Sequence, residues 1–417
     1  MSKLSRVLFV FLIVLFILAC GSAPQATVSP VPTIAAASQI PENIPSIVPH
    51  EPTQNSTQPA AQPSGLKVAY TLDGNLWFWS ETTPARQITH EGSAGMFSLS
   101  DDGQVIAYTR GQTLWAVNSD GSNARELVAD VPALTGRPFL GQLDFQPGTH
   151  ILYFSAIASV QGQYGDDLHR VDADAPAAQT LIQQGGGKFT FSPNGALLAL
   201  TTVNRINVLR VDNPTLVSAL DFPQVNTNAD WSYYPQVVWL NDSSGFYTVI
   251  PGNDGQKARF LYVAANGSFT AQLAEFAIAD IRVGQPLIAP NGSKVAYLTA
   301  TDDSFDFHVI DASTADKTIG TYPRSSQFGL WAWSLDSARF TYWTDDPSRL
   351  FIASVTSLPA PLLDRAAPYS LTWVDADRFL YIAEGELRLG QAGVSVLAVL
   401  TGGYQPGEQG SSFDFAP

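Results

Sequence analysis

The stretch that decides the fold is FTFSPNGALLALTT, residues Phe189 to Thr202. Phe189 and Phe191 alternate with a polar residue, Ser-Pro-Asn-Gly breaks the chain, and an apolar run from Leu197 follows. Two strands joined by a tight turn fit this order, because a period of two marks a half-buried strand and Asn-Gly favours a hairpin. The unit recurs in FSLSDDG from Phe97, LDFQPG from Leu143, VVWLND from Val237, PLIAPNG from Pro286, WAWSLDS from Trp331 and LTWVDAD from Leu371. The third position of each opening is an apolar residue: Leu99, Phe145, Phe191, Trp239, Ile288, Trp333 and Trp373, spaced 40 to 49 residues apart. The second strand carries Tyr108, Phe154, Leu200, Tyr247, Tyr297, Tyr342 and Tyr381 near its centre.

A third strand follows, as in TLWAVN from Thr113, RFLYVA from Arg259 and DFHVID from Asp306. A more variable fourth closes each unit, as in ARELVA from Ala124. Asp120, Asn194, Asn266 and Asn291 each precede a glycine at a turn. No convincing helical period appears beyond the leader. A repeat of about 44 residues with four antiparallel strands lies in the range of β-propeller blades. The ends set the number of blades. The first unit starts with a second strand, KVAYTL from Lys67, then NLWFWS and ARQITH. The last residues, Phe413-Asp414-Phe415-Ala416-Pro417, read as an opening strand with nothing after it. The expected fold is therefore all-β: an eight-bladed propeller over residues 66–417, its C-terminal strand completing the first blade, with seven blades as the alternative. Ring closure leaves no exposed sheet edge at the join.

The S-P-N-G and S-D-D-G turns after an aromatic strand, then K-V-A-Y and an apolar third strand, resemble the TolB-like, WD-repeat-like β-propeller repeat. The resemblance covers nearly all of Leu66 to Pro417. It implies a fold rather than an activity, since propellers host many unrelated functions. The units from Trp331 and Leu371 lack both the Pro and the Gly, which leaves their turn geometry open.

The N-terminus reads as a targeting signal over residues 1–19. Lys3 and Arg6 precede an apolar run from Val7 to Ala19, short of the ~20 residues of a membrane span but suited to a signal-peptide core. It ends in Ile17-Leu18-Ala19-Cys20, which resembles the lipobox of bacterial lipoproteins. That resemblance implies cleavage after Ala19 and a diacylglyceryl thioether on Cys20, the chain's one cysteine. Two or more acyl chains anchor stably where one does not. Residues 20–65 are then the lipidated cysteine and a linker rich in Pro, Ala, Ser and Thr, expected to be an extended, disordered tether. The expected location is the outer face of the cell membrane or the cell surface.

The formal net charge of −15 argues against nucleic acid as a partner, since such a surface repels phosphate. With Cys20 acylated, no thiol remains for a disulfide, zinc or redox chemistry. There is no G-x-S-x-G elbow, no H-E-x-x-H, no P-loop and no dinucleotide fingerprint. His90, His150, His169 and His308 are scattered among blades. The paired acids Asp101–Asp102, Asp166–Asp167, Asp302–Asp303 and Asp345–Asp346 suit Ca²⁺ or glycoside hydrolysis. Asp is also favoured in tight turns, and turn duty is the stronger reading. Catalytic residues, metal ligands and cofactors are therefore expected to be none.

Trp239, Trp331, Trp333 and Trp373 fall on opening strands, as inter-blade packing requires. Trp231, Tyr233 and Tyr234 fall instead in the long connection DFPQVNTNADWSYYP between the fourth and fifth units. On a propeller, such connections share a face with the loops between second and third strands, here Ala158 to Asp167 and Pro251 to Lys257. Trp231, Tyr233 and Tyr234, with Tyr164 and Asp166, are the candidate ligand-binding residues, against the alternative that the loop packs its own aromatics on the fifth blade. The function these residues suggest is a monomeric, membrane-anchored scaffold binding a protein, peptide or glycan on its loop face. A propeller-type polysaccharide lyase or glycoside hydrolase using channel carboxylates is the alternative, favoured if at least two acids and an Arg or His share one deep channel pocket, whereas a shallow aromatic face favours the binder.

Overall fold

A computed structural model describes residues 65–135, 140–156, 159–160, 163–164, 166–227, 231–252, 256–345, 348–356, 359–364, 370–403 and 413–417. The expected signal over residues 1–19 and the expected lipidated Cys20 and tether over 20–65 lie, apart from residue 65, outside the described residues.

The strands form eight four-stranded antiparallel sheets and one small hairpin. Seven sheets use four strands in sequence order, such as Lys188–Phe191, Leu197–Thr201, Arg205–Arg210 and Leu216–Asp221 in the fourth blade. The first blade is composite. Its strands Lys67–Leu72, Asn75–Ser80 and Thr83–Gln87 are completed by Phe413–Ala416 as the inner strand. The register pairs Lys67 with Ala416, Val68 with Phe415, Ala69 with Asp414 and Tyr70 with Phe413. The chain is an eight-bladed β-propeller, and the seven-bladed alternative is set aside.

Packing follows the ring. Eight clusters of buried apolar side chains are found among the described residues, one for each interface between successive blades. The cluster at the join unites Val68 and Tyr70 of the first blade with Leu380, Ile382 and Leu389 of the last. Tryptophans on the inner strands do what their positions require. The indole N–H of Trp239 donates to the Thr190 carbonyl (3.1 Å), that of Trp333 to Leu287 (2.9 Å) and that of Trp373 to Ala332 (3.2 Å). Each indole thus fills a blade interface and satisfies a carbonyl on the free edge of the preceding inner strand, which a buried edge would otherwise leave unpaired. Gln142 performs the same task on the next blade, accepting from the Phe189 amide (2.9 Å) and donating to its carbonyl (2.7 Å).

The turns from first to second strand share one construction. In the second, fourth and seventh blades a fully buried serine (Ser100, Ser192, Ser334) accepts the amide of the residue opening the second strand, at 3.0 Å each. The Asp or Asn two residues on accepts that hydroxyl and a following amide: Asp102 takes Ser100 Oγ at 2.7 Å and the Gln104 amide at 2.9 Å. Asp102 therefore serves a turn, as its residue type favours. The seventh blade, which lacks the Gly, keeps this geometry by placing Ser337 at φ +61°, where the fourth has Gly195 at +66°. One feature of the fold has no periodic signal. Val131–Thr135 forms a five-residue helix whose start is capped by Asp130 Oδ1 on the Ala133 amide (2.9 Å), too short to show a helical repeat.

Candidate functional site

The described residues of the connection between the fourth and fifth blades are held by one bond within it and two to the ring. Thr227, itself buried, donates its hydroxyl to the Trp231 carbonyl at 2.6 Å. Tyr233 is 3% exposed and its hydroxyl donates to the Val249 carbonyl at 2.9 Å. Burial raises the pKa of that phenol, as expected for a ring lodged in the core cluster between the fifth and sixth blades. Gln236 Oε1 accepts the Ile288 amide of the sixth blade at 3.0 Å.

Between these anchors two aromatics remain accessible. Trp231 is 36% exposed, and Tyr234 is half-buried with the Lys188 ammonium 5.2 Å from its ring centroid. Lys188 opens the inner strand of the fourth blade, so this pair sits where connections between blades enter the ring. The candidate set therefore divides. Trp231 and Tyr234 are open to solvent in part. Tyr233 is not: in this structure it is a core residue, and the packing alternative for this loop holds for it. Tyr164 lies on a two-residue strand, Gln163–Tyr164, paired with Ser159–Val160, between the second and third strands of the third blade. Asp166 opens the third strand of that blade opposite Gly186. The side chains of Tyr164 and Asp166 lie outside the described residues. Lys188 is the residue that sequence reasoning missed, because nothing local to a strand opening signals a cation poised over a tyrosine 46 positions later.

The opposite face carries a cavity of about 520 Å³ lined by Asp101, Asp102, Gly148, Thr149 and His150. It joins the turns of the second and third blades. His150 Nδ1 lies 2.8 Å from Asp174 Oδ2 and its Nε2 lies 3.2 Å from Asp102 Oδ2. Partial burial alone would lower the imidazole pKa, but the two carboxylates outweigh it and raise it. Asp101 Oδ2 accepts the Gly148 amide at 3.0 Å. Two acids and a histidine do share this pocket. Both ring nitrogens and one oxygen of each acid are nevertheless engaged in holding one blade turn to the next.

No family model matches the chain, and no curated protein matches it. Among solved structures, the chain is similar to a protein described as a TolB from Agrobacterium tumefaciens, at 12% identity and a TM-score of 0.34, over 62% of this chain and 89% of that one. It is similar to TolB from Acinetobacter baumannii at 13% identity and a TM-score of 0.35, over 63% and 64% of the two chains. A eukaryotic initiation factor matches at 10% identity and a TM-score of 0.49, over 82% and 98%. At these scores the likenesses carry no argument about activity or partner, and the propeller assignment rests on the sheets themselves.

Proposed function

We propose that this protein is a lipid-anchored, extracytoplasmic binding scaffold that recognises a protein, peptide or glycan on the face bearing Trp231 and Tyr234. The observation that carries the reading is a pinned loop displaying an exposed indole. Thr227 holds the Trp231 backbone and Tyr233 nails the next turn into the core, so Trp231 is presented with little conformational freedom left to lose. Preorganised Trp and Tyr side chains are the residues in which binding energy concentrates. Lys188 over Tyr234 adds a fixed positive charge suited to a partner's carboxylate or to the hydroxyls of a sugar. In this reading, Cys20 carries the anchor and residues 21–64 supply reach.

Replacing Trp231 and Tyr234 together with Ala is expected to weaken partner binding by about 2 kcal/mol or more, roughly a thirtyfold rise in Kd. The melting temperature should stay within a few degrees of the parent. Unchanged affinity for the partner captured from envelope extracts would remove these residues from the interface. Cys20→Ser is expected to move the protein out of the membrane fraction or block its processing. A variant that is cleaved correctly and still pellets with membranes would refute the anchor.

A further inference from the structure

His150, in the turn from first to second strand of the third blade, meets a carboxylate at each ring nitrogen. Its Nδ1 lies 2.8 Å from Asp174 Oδ2 in its own blade, and its Nε2 lies 3.2 Å from Asp102 Oδ2 in the second blade. An ionised carboxylate can only accept, and a neutral imidazole has a single N–H. With a neutral ring, one of the two contacts sets a bare nitrogen lone pair against a carboxylate oxygen. Only the imidazolium, with two N–H groups, completes both bonds. The ring is 24% exposed, so water stands in poorly for a lost partner.

We propose that His150 is a proton-operated clamp between the second and third blades: protonated, it ties Asp102 to Asp174 along the wall of the cavity, and on losing its proton it lets the Asp102 turn go. The shorter contact, within the third blade, keeps the remaining N–H, so the bond that opens is the one between blades. The other charged groups here come from three blades. Asp101 lines the same cavity and accepts the Gly148 amide at 3.0 Å. Arg125, on the outer strand of the second blade, pairs with the other oxygen of Asp174 at 3.2 Å. Asp172 accepts the Asp174 amide at 2.8 Å, and Lys67 of the first blade directs its ammonium to the Asp102 carbonyl. Arg125 thus already serves Asp174, whereas among the described residues no cation but His150 is paired with the Asp102 carboxylate. Burial works against charge on the ring, but the bonds to Asp174 and Asp102 outweigh it and raise the imidazole above its ordinary 6.5. Burial also disfavours charge on Asp102, yet the Ser100 hydroxyl, the Gln104 amide and His150 hold that carboxyl below its usual range. Asp102 therefore stays ionised while His150 titrates. A group raised in the folded state binds more protons there than in the unfolded chain. The clamp's contribution is thus complete below about pH 6.5 and is lost as pH rises through the higher folded value.

The test is an NMR titration of the His150 ring in the full-length protein from pH 5.5 to 8.5, in the wild type and in Asp102→Asn. His150→Gln identifies the signal among the five histidines. Asparagine suits the turn: at the same place in the fourth blade Asn194 accepts the Ser192 hydroxyl at 2.8 Å and the Ala196 amide at 3.0 Å. The wild-type midpoint should lie above 6.5, and Asp102→Asn should bring it down. Between pH 6 and 8 the wild type should also lose roughly 1–3 °C of melting temperature more than Asp102→Asn does. A wild-type midpoint at or below 6.5, or the same midpoint in both proteins, would overturn the clamp, and so would equal melting slopes. Should Asp102→Asn fail to fold, His150→Gln supplies the comparison. It should lack the wild type's extra loss between pH 6 and 8, and an equal loss overturns the proposal.

Discussion

Deleting Phe413 to Pro417 is expected to abolish stable folding or lower the melting temperature by tens of degrees. The segment contributes four register pairs to the strand Lys67–Leu72. It also buries Ala416 completely and Phe413 and Phe415 partly against the first and last blades. Its loss strips the inner edge of the first blade and leaves the Leu99 amide without Asp414. Backbone hydrogen bonds at about 1 kcal/mol each and the lost apolar burial together amount to on the order of 5–10 kcal/mol. That is comparable to the whole net stability of an ordinary domain. A second effect adds to the first, because the exposed edge becomes a template for pairing with another chain. Calorimetry of the truncated domain, with light scattering for aggregation, checks the expectation. A truncated protein melting within a few degrees of the intact one would show that the ring does not depend on this strand.

The second large effect is at Tyr233. Tyr233→Ala removes a ring that is 3% exposed and packed between two blades, along with its hydrogen bond to the Val249 carbonyl. Cavity formation at a buried aromatic costs about 3–5 kcal/mol. Tyr233→Phe, which keeps the ring and loses only the hydroxyl, should cost about 1 kcal/mol. Trp231→Ala, two residues away, should change stability little, because its ring is among the exposed large hydrophobics. Urea unfolding of the three variants measures the split directly. If Tyr233→Ala were as mild as Trp231→Ala, the loop would not be pinned, and the argument that it presents Trp231 in a fixed pose would lose its basis.

That division between Trp231 and Tyr233 marks where sequence stops being sufficient. The blades were legible because their packing is local and repeated: Leu99, Trp239, Trp333 and Trp373 recur at one position of one strand and are all buried. Closure was legible because the first unit lacks an opening strand and the last residues supply one. In the connection between the fourth and fifth blades there is no repeat to compare, so three nearby aromatics look alike until the chain's path lodges one in the core. The acids show the same limit differently. Asp414 stands in a quoted motif, yet an aspartate between two aromatics reads as the solvent side of a strand. Only closure, which brings Leu99 to a residue 315 positions away, gives Asp414 the Leu99 amide as a partner. The turn acids were easier, since Asp102 and Asp336 bond within a few residues of themselves. Lys188 over Tyr234 is legible only in three dimensions.

The claim that this ring is a scaffold with a binding face at Trp231 is tested most directly by hydrogen–deuterium exchange. The domain is compared free and in complex with the partner it captures from envelope extracts. The account predicts slowed exchange at Trp231 to Val238 and at the strand opening around Lys188, with the turns at Asp101 to Gln104 and Gly148 to His150 unchanged. Protection confined to those turns, around the cavity of Asp101, Asp102 and His150, would contradict it and place recognition on the opposite face.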